Sequence, residues 1–212
     1  GGLGSAAAVA CAAAGASVVL LGRRLPRLEH VYDACAAVGP EPLLYPLDLE
    51  GAGPADHVAV AERIAAELGG LHGLLHCAAD FAGLTPLEHT DPAAFARALH
   101  VNLTAAAWLT GACLPLLRAV RGAVVFVLAE PDVAGAAYWG GYGVAQAGLE
   151  ALVRMLRAET GGAPRVEAFR PGPMKTGLRA RAWAEETGQP ADPAAVAGRC
   201  VELLAGPGHG SP

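Results

Sequence analysis

A chain of 212 residues, 53% of them hydrophobic and 17% charged, can bury a full core as one domain and calls for no second. Its net charge of -5 supplies no basic stripe for a polyanion, which excludes nucleic acid and anionic membrane surfaces as expected partners and leaves small molecules and proteins. Five cysteines, an odd set without a C-x-x-C pair, argue against a disulfide framework and a zinc site, so no metal is expected and a reducing cytoplasm is the expected setting.

In chain order, the sequence opens on GGLGSAAAV. Gly2, Leu3 and Gly4 running into small residues suit a dinucleotide-binding turn: glycine lets the backbone approach a pyrophosphate, and the following helix offers free N-H groups and a partial positive charge. The apolar stretch after it is interrupted by Gly15 and Ser17 and ends on Arg23 and Arg24, which fits neither a signal peptide nor a spanning helix. Val18 to Leu21 reads as a strand. About twenty positions after such a glycine turn an acidic residue takes ribose hydroxyls and an arginine takes a 2'-phosphate. Arg23 and Arg24 stand there, and two guanidiniums suit a bidentate grip on phosphate, so NADP is expected ahead of NAD.

Further strands are expected at Leu43 to Leu47, Gly73 to Cys77, Ala123 to Leu128 and Val166 to Phe169, with alanine-rich helical segments between them. Near-continuous apolar strands at this spacing mean a parallel sheet covered on both faces, an α/β doubly wound, Rossmann-like fold. Thr90-Asp91 before Pro92 and Asp192 before Pro193 mark helix starts; Gly39-Pro40, Gly69-Gly70 and Gly161-Gly162 mark helix ends. Residues 1-205 form a single domain in this reading, with 206-212 a loose Gly/Pro-rich tail.

These residues resemble the short-chain dehydrogenase/reductases, NAD(P)-dependent oxidoreductases on a Rossmann sheet, over nearly the whole chain and in the family's order. Gly2-Leu3-Gly4 is similar to the end of the cofactor glycine motif, and Asp48-Leu49 in YPLDLE to the acidic position that meets the adenine ring. LHGLLHCAAD stands where the family has its Asn-Asn-Ala-Gly strand end, which puts Ala78 beside the cofactor. Asn102 in HVNLTAA matches the helix asparagine and Tyr142 in WGGYGVAQ the catalytic tyrosine; Pro171, Gly172 and Thr176 resemble the loop over the nicotinamide. LLGR, LHGLLH, LTGACLPLL and WGGY resemble bacterial members near an uncharacterised oxidoreductase branch. The resemblance implies a nicotinamide cofactor and a small carbonyl or hydroxyl substrate.

Three departures fall in one site. The family lysine four residues after the tyrosine, whose charge lowers the phenol pKa, is Gln146, and the serine thirteen residues before it is Ala129 or, one register on, Glu130. The Asn-Asn-Ala-Gly turn is His76-Cys77-Ala78-Ala79. The first expectation is therefore a member that keeps the fold and a cofactor groove with weak or no reductase activity; an active NADP-dependent reductase with His76, Glu130 or His100 as a rearranged proton donor is the alternative, and a purely structural partner the third. The strand that should lead into GGLG and the family's final strand are both missing from the chain, and the absence of the first would leave two neighbours unpaired. Two long helices, from about Pro92 to Val120 and from about Tyr142 to Thr160, are the expected surface for a homo-oligomer, the second through Leu149, Leu152 and Leu156.

Overall fold

The computed structural model describes residues 2-183 and 188-206. Nearly all of the tail expected at 206-212 lies outside them. All five expected strands are present within a residue of their bounds: β1 (Val19–Gly22), β2 (Leu43–Pro46), β3 (Gly73–His76), β4 (Ala123–Val127) and β5 (Arg165–Phe169). Every ladder is parallel. β1 pairs with β2 from Val19 opposite Leu43; β4 lies between β3 and β5, with Ala123 opposite both Gly73 and Arg165.

The strands form two sheets, β1-β2 and β3-β4-β5, so β1 and β3 each hydrogen-bond on one side only. One core nonetheless serves both sheets. Val19, Leu21 and Tyr45 pack on the cluster that holds Val124 and Phe126 of β4.

Helices cover both faces. On one lie α3 (Pro54–Leu68), α5 (Ala105–Ala119) and α7 (Gly140–Thr160), which bury Ile64, Leu117 and Val153 against Val124 and Phe126. On the other, α1 (Gly2–Ala13) and α9 (Pro193–Ala205) bury Leu3, Ala7 and Cys200 against Leu75, Val127 and Phe169. Alternation along β4 follows from the two-residue period of a strand. α2 (Leu25–Ala36) closes over Leu20 through Val31 and Cys35. The described cysteines are all free thiols.

The predicted helix starts hold. Asp91 accepts from the N-H groups of Ala93 and Ala94 ahead of α4 (Pro92–Leu99), and Asp192 from that of Ala194 ahead of α9; a cap of this kind is worth about 1 kcal/mol. Gly69 and Gly161 end α3 and α7 in the left-handed conformation. Gly39 does not close α2, which ends at Ala36; a Cβ there would lie 1.9 Å from the Ala12 carbonyl oxygen, so this glycine permits a close crossing with α1.

α4 and α5 form one unbroken helix, Pro92–Ala119, joined by a π-helical turn at His100–Thr104. By length and composition that helix could cross a membrane, but Leu109, Cys113 and Leu117 are buried in the core. The leucine stripe of α7 corrects the expectation of a partner-facing surface. Leu149 and Leu156 are buried and Leu152 packs on the same cluster, so the stripe faces the sheet; the large exposed apolar residues of α7 are Val144 and Met155.

Candidate functional site

Tyr142 sits in the first turn of α7, and the glycines on either side explain how it gets there. A Cβ on Gly141 would lie 2.7 Å from the Phe95 carbonyl oxygen of α4, and one on Gly143 would lie 2.3 Å from that of Ala134, in the short helix α6 (Pro131–Ala134). Two missing side chains therefore let α7 wedge between α4 and α6 and carry Tyr142 inward. Its ring is buried, edge-on to Phe81 at 5.5 Å and tilted against Trp139 at 5.5 Å. Trp139 stacks on Phe81 at 4.9 Å and touches Trp183 at 5.3 Å; Trp183 follows α8 (Gly177–Ala182). Burial alone pushes the Tyr142 phenol up to about 12. Among the described residues nothing hydrogen-bonds its hydroxyl.

Asn102 reaches the same end of the sheet from the π turn. A π turn inserts one residue into the helical register and aims a side chain that an α-helix would direct elsewhere. Asn102 is buried; its Oδ1 accepts from the Asp80 N-H at 2.6 Å and its Nδ2 donates to the Asp80 carbonyl at 2.7 Å. The Asp80 carboxylate in turn pairs with Arg97 at 3.4 Å.

Gln146 is buried one turn beyond Tyr142, and its Oε1 accepts from the Ala129 N-H at 2.9 Å. The amide thus holds the backbone that follows β4. Ala129 offers a methyl group to the Phe81, Trp139 and Tyr142 cluster and no donor. Gln146 and Ala129 also line a cavity of about 110 Å³ with Glu150 and Arg170, themselves paired at 3.1 Å. A smaller cavity of about 30 Å³ brings Leu49, His76, Ala78 and Asn102 together.

Two of the three replacement proton donors are engaged elsewhere. His76 Nε2 is 2.8 Å from Thr110 Oγ1, and the ring stacks on Phe126 at 4.7 Å. Burial, reinforced by His57, lowers its pKa to about 4, so it is neutral near pH 7. His100 packs edge-on to Trp108 at 5.4 Å. Both are turned toward the α3 and α5 side because His76 alternates onto that face of β3 and His100 opens the π turn. Glu130 is exposed at the N-cap of α6, where its side chain makes no cap hydrogen bond.

On the cofactor side, Gly2, Leu3 and Gly4 form the first turn of α1, and Leu3 points into the core. A Cβ on Gly2 would lie 2.7 Å from Thr176 Cγ2, and one on Gly4 would lie 2.7 Å from Cys77 Sγ. The glycines therefore seat the start of α1 against the end of β3 and the loop from Pro171 through Gly172 to Thr176, bringing together residues that lie far apart in sequence. Thr176 Oγ1 caps α8 by accepting from the Arg179 N-H at 3.2 Å. Arg23 and Arg24 are exposed at the end of β1 and make no ion pair among the described residues; Asp48 is exposed after β2. A helix N-terminus opened by Gly2 and Gly4 and an arginine couple without an ion pair among the described residues fit a dinucleotide that carries an extra phosphate.

Sequence reasoning missed Phe81, Trp183 and the Asp80–Arg97 pair. Phe81 lies only two residues past the Ala78-Ala79 turn, and an aromatic there was the available signal. Trp183 had none, because only the path of the chain through α8 returns it to Trp139.

A family model described as short chain dehydrogenase matches residues 1–187. The chain is 32% identical over 190 residues to an uncharacterised oxidoreductase of Escherichia coli, YciK, a match that spans 89% of this chain and 75% of the relative. A solved structure described as a short chain dehydrogenase of Pseudomonas syringae superposes with a TM-score of 0.89 at 38% identity, over 96% of this chain and 84% of that one. Another, from Shigella flexneri and complexed with NADP, superposes with a TM-score of 0.91 at 30% identity, over 95% of this chain and 86% of that one.

Proposed function

The chain belongs to the short chain dehydrogenase family, and from that premise we propose that it is an NADP-type oxidoreductase of small carbonyl or hydroxyl compounds with a depleted proton-transfer site, so that turnover is weak or absent. The single observation that carries this reading is the engagement of Gln146 with the Ala129 N-H, in place of a cation beside Tyr142.

Arg23 and Arg24 would grip the 2'-phosphate, the first turn of α1 would meet the pyrophosphate, and Asp48 and Leu49 would flank the adenine. Ala78 and the loop Pro171, Gly172 and Thr176 would border the nicotinamide. The NADP in the Shigella flexneri relative supports the choice of cofactor. When bound, NADPH supplies a hydride to the substrate's carbonyl carbon. The Tyr142 hydroxyl would give its proton to the carbonyl oxygen and regain one from solvent, so that the carbonyl ends as an alcohol. Asn102 keeps the backbone at Asp80 in place below this site.

With a phenol near 12, only about one Tyr142 in 10⁵ is ionised at pH 7, so alcohol oxidation, which needs the phenolate as base, is the more impaired direction. Reduction keeps a neutral donor but has no side chain at Ala129 to polarise the carbonyl. Each such contribution is commonly worth a factor of about 10² to 10⁴ in rate, and as parts of one unit they do not simply multiply.

The test is calorimetric titration with NADPH and NADH, followed by a carbonyl panel on wild type, Q146K/A129S and Y142F. NADPH should bind, and the double variant should turn over at least about 100-fold faster than wild type. Robust wild-type turnover lost in Y142F would overturn the depleted-site reading and leave an active enzyme in which glutamine suffices. Five free thiols suit a reducing cytoplasm, and a second copy would pack on the exposed side of α5 and α7 at Val144 and Met155; a monomeric mass by light scattering would remove that interface.

A further inference from the structure

We propose that the aromatic cluster around Tyr142 is a binding site for a planar aromatic compound carrying one oxygen function, held between Trp139 and Trp183; the inference rests on the reading that Tyr142 faces the substrate. Phe81 follows β3, Trp139 and Tyr142 follow β4, and Trp183 follows β5, so connections leaving the carboxyl ends of three adjacent strands converge here. In open α/β sheets that end is where ligands bind. The apolar cluster around these rings is completed by Ala129, Val133, Leu178 and Ala182, and the Arg179 guanidinium borders it over the Trp183 ring. Its polar atoms are the tyrosine hydroxyl and the two indole N-H groups. A ligand seated here is therefore flat on its faces, with one oxygen toward Tyr142.

The backbone supports the same conclusion. Tyr138 adopts φ 76, a left-handed conformation costly for a bulky residue, and its carbonyl is held by the Thr85 N-H at 3.0 Å. That turn sends the Tyr138 ring to solvent and the Trp139 ring inward, so the strain is spent on aiming Trp139. Trp139 and Trp183 meet at 54°, tilted rather than stacked, and Arg179 lies over the Trp183 ring at 4.3 Å. Trp183 is half-buried at the end of a six-residue helix, whereas Trp139 and Phe81 are buried. In this proposal Trp183, the least buried of the three rings, is the one that moves aside. Widening the present 5.3 Å to about 7 Å admits one aromatic plane between the two indoles, within the range of stacked pairs.

Calorimetric titration of the full chain with acetonaphthone and with dodecan-2-one, two ketones of equal carbon number, separates ring recognition from general apolarity. Acetonaphthone should bind at least about tenfold more tightly, W183L should weaken it about fivefold or more while leaving dodecan-2-one within about twofold, and W139F should retain most of the preference. Equal affinities for the two ketones, or a W183L variant that keeps the full preference, would overturn the assignment. Should W139F fold poorly, W183L still decides, because its side chain is half-exposed. The ketone arms stand whatever NADPH does: an aromatic preference without NADPH binding sinks the oxidoreductase reading alone, and NADPH binding without the preference sinks this one alone.

Discussion

Asn102 and Gln146 are both buried amides that reach from a helix to the backbone just past a strand, one beyond β3 and the other beyond β4. Asn102 uses both ends of its amide on one residue, Asp80, and can do so because the π turn aims it there. Among the described residues Gln146 uses only its oxygen, on the Ala129 N-H. An amide suits this work because it offers donor and acceptor together without the desolvation cost of a charge. At position 102 that neutrality costs nothing. At position 146 it places an uncharged group, not a cation, one helical turn from Tyr142.

If the two clamps differ as their bonding does, N102A should cost the most, about 3 to 4 kcal/mol, because both polar groups of Asp80 lose their partner in a part-buried site. Urea denaturation measures it, and a loss no larger than that of Q146A would break the comparison. Acid probes the β3 end separately. His76 falls to about 4 in the folded state, so between that value and its ordinary 6.5 the unfolded chain binds more protons. The stability it contributes is complete above pH 6.5 and is lost as pH falls toward 4, about 3 kcal/mol in all. Replacing it in H76N should flatten that part of the pH profile; the remainder belongs to His57, which burial also lowers, with Asp56 opposing and His100 adding. A wild-type stability flat from pH 6.5 to 4 would contradict the lowered pKa of His76.

Q146A should cost about 1 to 2 kcal/mol, one hydrogen bond to a part-buried N-H. Q146K sharpens the contrast, since it should lose a similar amount of stability while lowering the Tyr142 pKa, visible as a downward shift of the alkaline limb in the pH-rate profile of the A129S background. The smallest effect concerns the cofactor side: R23E/R24E should weaken NADPH about tenfold and NADH little, and equal losses for both nucleotides would remove the phosphate role.

Much of this was legible in the residues. Five apolar runs located five strands because a parallel strand buried on both faces must be apolar throughout, and Asp91 and Asp192 announced their helices because a cap bonds to N-H groups two or three residues away. The order of Gly4, Asn102 and Tyr142 along the chain sufficed for the family. Each of these signals is local in sequence. Tertiary structure alone decided which way the leucines of α7 face, that His76 is tied to Thr110, that Asn102 rides on a π turn, and that Phe81 and Trp183 close around Tyr142. Residues 81, 139 and 183 share no period and no neighbour in the chain; their meeting depends on how three strand-to-helix connections return to one end of the sheet, and packing, unlike capping or strand patterning, leaves no fixed spacing to read.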